Sequence, residues 1–123
     1  MESGWSLKGK ERPMFVKTIT PAEVLAGIQA GDDQVIVDIR DRASYVVGHI
    51  PGAISNPADG FDSSMFSSID PSTLLVISCY RGVMSKQVVQ YLQSQGFENV
   101  VSMKGGMNGW HKLPNAPIER VTE

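Results

Sequence analysis

From Phe15 onward, short apolar runs and helix-like faces take turns along the chain. Phe15–Ile19 alternates weakly, as a short edge strand does. Thr20-Pro21-Ala22-Glu23 forms a capping box with proline at the first helical position. Val24, Leu25 and Ile28 follow on one face, and Gly31 ends the helix. Val35-Ile36-Val37 is a β-branched run of the kind expected in a strand covered on both faces. Asp41 is placed to cap a brief helix containing Tyr45 and Val46. Ala53-Ile54 reads as a short strand, and Asp62–Ser68 as a short helix. Leu74-Leu75-Val76-Ile77 is the clearest strand and runs into Ser78-Cys79 and a polar loop. The next helix carries Val88, Val89 and Leu92 on one face and stops at Gly96. Asn99–Met103 gives another buried strand, and Gly105-Gly106 opens a final turn or helix near Trp110. This alternation predicts an α/β domain with a mostly parallel central sheet. Right-handed crossovers then place helices on both faces.

Residues 1–14 break the pattern. They have no period and are rich in Gly, Lys and Glu, so a flexible N-terminal extension or expression remnant is expected, with a single domain over 15–123. A length of 123 residues with 41% hydrophobic content suits one domain with a real core. A net charge of -2 supplies no basic field, so neither nucleic acid nor an anionic membrane is an expected partner. The sequence has no apolar run of membrane-spanning length and no secretory h-region, which makes the cytoplasm the default location. A lone cysteine, Cys79, forbids an internal disulfide and any multi-cysteine metal site.

The candidate chemistry centres on that cysteine. Cys79 stands at the carboxyl end of the clearest strand and just ahead of a helix, the edge at which open parallel sheets bind ligands. In the loop Cys79-Tyr80-Arg81-Gly82-Val83-Met84, followed by Ser85-Lys86-Gln87-Val88, backbone N–H groups can converge on the sulfur. Gly82 allows the positive φ that a tight anion-cradling loop needs. The helix N-terminus and Arg81 both favour thiolate over thiol. These features describe a nucleophile that can hold an anionic intermediate. The plainer reading is a structural cysteine buried in a core.

Three further stretches, in order and spacing, make the chain resemble the rhodanese family. They are Val37-Asp38-Ile39-Arg40-Asp41, Gly48-His49-Ile50-Pro51-Gly52-Ala53 and Gly105-Gly106-Met107-Asn108-Gly109-Trp110. The resemblance covers the chain from Thr18 to Pro114. Cys79-Tyr80-Arg81-Gly82, Ser85-Lys86 and Gln90-Tyr91-Leu92 look most like the single-domain thiosulfate sulfurtransferases of bacterial glycerol-metabolism operons.

The family resemblance implies a rhodanese-like fold and a double displacement. A Cys79 thiolate takes the outer sulfur of thiosulfate, and the resulting persulfide passes it to cyanide or a thioredoxin-like dithiol. It also implies that Tyr80, Arg81, Gly82, Val83, Met84 and Ser85 form the substrate-binding loop, whose amides stabilise the persulfide. Neither a metal nor an organic cofactor is required, and a monomer or weak homodimer is expected. Arg81 would select dianionic thiosulfate over a monoanionic donor, unless it merely faces solvent. Met84 departs from the family, which often has a hydroxyl or arginine there, so the amides and Ser85 would have to compensate.

Asp38 and Arg40 could orient the loop, but the simpler expectation is that they hold neighbouring turns. His49 could shuttle protons, but its Gly- and Pro-rich surroundings favour a turn device. Met107 and Trp110 are expected to pack in the core or at its rim rather than to contact substrate. Ser44 replaces a Glu common in relatives and is expected to stand clear of the chemistry. Phosphatases and arsenate reductases of similar fold use a loop one residue longer, with arginine six positions after the cysteine. Ser85 occupies that position here, and Ser78 rather than His precedes Cys79. A persulfide relay or partner-docking module is the remaining alternative.

Overall fold

Gln34–Asp38 (β2) and Leu74–Ser78 (β4) pair in parallel along their whole length in the computed structural model, which describes residues 15–122. The expected N-terminal extension over 1–14 lies outside the described residues. Around this pair, Thr18–Ile19 (β1), Ile54–Ser55 (β3) and Val100–Met103 (β5) complete a sheet of order β1-β5-β4-β2-β3. Every strand pair in it is parallel.

Helices cover both faces, which is why the central strands are apolar at successive positions. On one face, helices Pro21–Ala30 (α1) and Gly106–His111 (α4) supply Val24, Met107 and Trp110. These pack on Ile36, Val76, Val101 and Met103. On the other, Val88, Val89 and Leu92 of helix Met84–Ser94 (α3) join Phe66 against Val37, Leu75, Ile77 and Val100. Burying each such side chain stabilises the fold by about 1.5–3 kcal/mol. Trp110 is fully buried as expected, and its indole N–H donates to Pro117 O at 2.9 Å.

Local signals place most elements. Thr20 Oγ1 accepts from Glu23 N at 3.1 Å while Glu23 Oε1 accepts from Thr20 N at 2.9 Å, completing the capping box. Gly31 ends α1 in the left-handed region at φ 72°. Some boundaries differ from expectation. The first strand shrinks to Thr18–Ile19, because Phe15 lies out in solvent at 78% exposure. Ala53 closes a turn through its N–H to Ile50 O, so β3 begins one residue later. The Asp62–Ser68 segment forms only a 3-10 turn over Ser63–Phe66, capped by Asp62. Asp41 does precede the short helix Arg42–Val47 (α2), but its carboxylate makes no bond to the helix backbone.

The chain leaves β2 toward β3 at one edge and leaves β4 toward β5 on the other side. The loops after these adjacent strands therefore diverge, and a crevice opens between their carboxyl ends. Cys79 stands there. No helix among the described residues is long and apolar enough to cross a membrane.

Candidate active site

The register that sets Asp38 beside Ser78 brings the ends of β2 and β4 level and delivers Cys79 to the crevice floor, 4% exposed. The chain then turns through 80–83 and enters α3 at Met84, earlier than the polar loop suggests. Val83 occupies the N-cap position without a capping side chain. The sulfur takes that acceptor role instead: Gly82 N–H donates to Cys79 Sγ at 3.2 Å and Ser85 N–H at 3.4 Å. Orphan amides of a helix start normally need a Ser, Thr, Asp or Asn oxygen. Here a thiol six residues upstream of Ser85 satisfies its amide, so the helix start carries no ordinary sequence mark.

These contacts set the electrostatics of the sulfur. Burial pushes the Cys79 thiol up. The Ser85 hydroxyl and the amides of Ser85, Gly82 and Arg81 pull it down by more, leaving the thiol below its ordinary value. The site can therefore hold a sulfur anion using dipoles already in place.

The expected substrate-binding residues divide into two groups. Gly82 and Ser85 are buried and face the sulfur through their amides. Tyr80, Arg81, Val83 and Met84 are exposed and line a depression of about 230 Å³ with Cys79 and Gln87. Met84 also borders two neighbouring hollows, one toward Phe61 and Tyr91 and one toward Arg40 and Asp59. No side-chain donor stands at its position, so the amides and Ser85 remain the donors to the sulfur.

The loop is gripped from beneath by the Gly105-Gly106 turn. Met107 N–H donates to Cys79 O at 2.7 Å, and Asn108 N–H to Tyr80 O at 2.9 Å. Gly106, at φ 55°, presses so close that a Cβ would lie 2.7 Å from Tyr80 C and 2.8 Å from Arg81 N, besides colliding with Cys79 O. Gly82, at φ 82°, likewise leaves no room, since its Cβ would meet Gly105 N at 2.9 Å. Met107 is a core residue as expected, but its amide holds the loop. The sequence signal for this cradle is the paired glycine after a buried strand, which reads first as a turn.

From above, the loop is held by side chains. Tyr80 O–H donates to Asp41 Oδ1 at 2.7 Å, and Ser44 O–H donates to the same oxygen at 2.7 Å. The Ser44 and Tyr80 hydroxyls also touch each other. The hydroxyls of Ser44 and then Tyr80 hold the Asp41 carboxyl below its usual range. Ser44 is thus bonded to the rim of the loop through Tyr80, while the hydrogen bonds to the Cys79 sulfur come from the Gly82 and Ser85 amides.

Asp38 and Arg40 do not reach the sulfur through any hydrogen bond. The buried Asp38 carboxylate accepts from Arg40 Nη2 at 2.7 Å and from its backbone N–H at 3.0 Å. Arg40 Nη2 also donates to Gly48 O at 2.7 Å, and its guanidinium lies 5.6 Å from the Tyr80 ring centre. The pair therefore ties neighbouring turns together and backs the loop through Tyr80. His49 lies apart from the depressions at Cys79. It is stacked on Tyr45 at 3.8 Å, with Nδ1 2.7 Å from Tyr45 O and Nε2 3.5 Å from Glu119, as suits a turn device.

The sequence model of the Rhodanese-like domain family matches residues 20–113. The chain is 40% identical over 109 residues to the thiosulfate sulfurtransferase GlpE of Pseudoalteromonas translucida (strain TAC 125), covering 87% of this chain and all of that one. It is 38% identical to thiosulfate sulfurtransferase GlpE of Haemophilus influenzae (strain PittEE), over 79% of this chain and 90% of the relative. The crystal structure of a rhodanese-like domain protein from Staphylococcus aureus superposes with a TM-score of 0.74. Its identity is 29%, covering 87% of this chain and 100% of that one. With the match running from α1 past α4 and taking in four of the five strands, the sulfur-bearing loop and the paired-glycine turn, this chain belongs to the rhodanese-like domain family.

Proposed function

We propose that this protein is a thiosulfate sulfurtransferase working through a Cys79 persulfide. The observation that carries this reading is the pair of amides, Gly82 N–H and Ser85 N–H, aimed at the sulfur at the head of α3. The Cys79 thiolate attacks the outer sulfur of thiosulfate, forming a new S–S bond. The old S–S bond breaks, and its electron pair leaves with sulfite. Cyanide then attacks the outer sulfur of the persulfide, releasing thiocyanate and returning the thiolate. With a dithiol acceptor, one thiolate takes the sulfur as a persulfide; the second thiol displaces it as sulfide and closes a disulfide. Both steps need a sulfur anion held at the crevice floor, and the loop amides supply that without rearrangement. Arg81, exposed beside Cys79, favours a dianionic donor. The relatives' names support thiosulfate as that donor.

A persulfide relay with a protein donor is the second reading, favoured by the rim of Tyr80, Val83 and Met84, which stand 48%, 61% and 48% exposed. A phosphatase reading has no such support. Ser85, where an arginine would fork around phosphate, is buried and turned to Ser102.

Intact mass spectrometry of cyanide-stripped protein after thiosulfate treatment tests the proposal. The expected result is a gain of one sulfur, about 32 Da, reversed by cyanide and absent in Cys79→Ser. Reduced Cys79 that gains no mass rejects thiosulfate as donor.

A further inference from the structure

Behind the Cys79 sulfur lie two fully buried hydroxyls, Ser85 at the head of α3 and Ser102 on β5, with their oxygens 2.6 Å apart. Two hydroxyls carry two protons, and their mutual bond uses one. The Ser102 hydroxyl has no other hydrogen-bond partner among the described residues. A buried hydroxyl proton left without an acceptor is costly, so the destination of the second proton matters. If Ser85 donates to Ser102, the Ser102 proton is stranded inside the sheet. If Ser102 donates to Ser85, the free proton is that of Ser85, whose own amide already contacts Cys79 Sγ at 3.4 Å.

We infer that Ser102 is a positioning residue for Cys79: its hydroxyl donates to Ser85 Oγ and so turns the Ser85 O–H onto the sulfur. Ser102 touches neither the sulfur nor the crevice. It acts through Ser85, removing the rotamer in which the Ser85 proton points into the strand. The influence of the Ser85 hydroxyl on the thiol agrees with this direction. The inference rests on the sulfurtransfer reading only in taking the thiolate as the working group.

A double-mutant cycle tests it, read as the pH dependence of Cys79 alkylation by iodoacetamide. Ser102→Ala should raise the midpoint by about half a unit to one unit, the scale of one neutral hydrogen bond. Ser85→Ala should raise it at least as far, and adding Ser102→Ala to Ser85→Ala should change nothing more. Ser102→Thr, which restores a hydroxyl at a strand position suited to β-branching, should keep the original midpoint. The ionisable groups around the crevice, Arg40, Asp41, Arg42, Asp59, Tyr80 and Arg81, are the same in every variant.

An unmoved midpoint in Ser102→Ala overturns the inference. Equal shifts with and without the Ser85 hydroxyl overturn it too, because they mean that Ser102 acts by packing. Alkylation needs no thiosulfate. A protein that shows this coupling yet gains no sulfur would sink the sulfurtransfer reading and leave the Ser102 assignment standing.

Discussion

The same loop is held in two unlike ways. Beneath it, the Gly105-Gly106 turn grips the backbone through amide-to-carbonyl bonds and close approach. Above it, Asp41 and Ser44 hold the Tyr80 hydroxyl at the exposed edge of the crevice. The lower grip depends on atoms that are missing, because a single Cβ would drive two buried backbones apart. The upper grip depends on atoms that are present, but water can replace each of them. Backbone contact in a buried place should therefore govern both the fold and the sulfur's environment, while the exposed clamp only refines them.

The largest expected effect is on the lower grip. Gly106→Ala places a Cβ 2.7 Å from Tyr80 C and 2.8 Å from Arg81 N, at a φ of 55°. Neighbouring backbone cannot yield as a side-chain tip would, so a loss of about 3 kcal/mol or more in urea unfolding is expected, together with loss of sulfur transfer. If Gly106→Ala unfolds and turns over like the unchanged protein, the grip is not what holds the loop.

A smaller effect comes from the dipoles that this grip aims. Because the thiol lies below its ordinary value, alkylation of Cys79 should titrate with a midpoint under the roughly 8.5 of a free cysteine. The thiolate is the reactive form, so the rate should fall as pH falls through that midpoint. The unfolded chain has the higher value, so this group stabilises the folded state fully above the unfolded value, and the contribution is lost as pH falls through the folded one. A midpoint at or above that of free cysteine would show that burial outweighs the donors.

Much of the fold was legible in the sequence because its signals are local. Val35-Ile36-Val37 and Leu74–Ile77 are β-branched or apolar at successive positions, as doubly covered strands must be. Thr20 to Glu23 caps its helix with side chains four residues or fewer apart. The start of α3 at Met84 carries no local mark, because its cap is the Cys79 sulfur, an acceptor that only the turn of the loop supplies. The contact of Ser44 with Tyr80 spans 36 positions, so no local pattern marks it. Ser102 carries no signal at all, being a small polar residue in a buried strand. Cys79 and its loop stood out since position, glycine and neighbouring helix all coincide in one segment. The loop's supports come from β5, α4 and α2, and only the fold brings them there.

The upper clamp should give the smallest effect. Tyr80→Phe removes the hydroxyl that donates to Asp41 and touches Ser44, but it keeps the ring beside the Arg40 guanidinium. Asp41 keeps its stronger partner, Ser44, so its carboxyl should rise only part of the way to the usual range. Carboxyl carbon NMR of Asp41 would read that rise directly. Sulfur transfer should fall no more than about threefold, and the Cys79 alkylation midpoint should stay in place, because no amide that faces the sulfur has lost a partner. A midpoint that moves in Tyr80→Phe as far as in Ser85→Ala would mean that the exposed clamp sets the aim of the loop amides. The contrast between the two grips would then collapse, and control of the thiolate would have to be assigned to the surface of the crevice rather than to its floor.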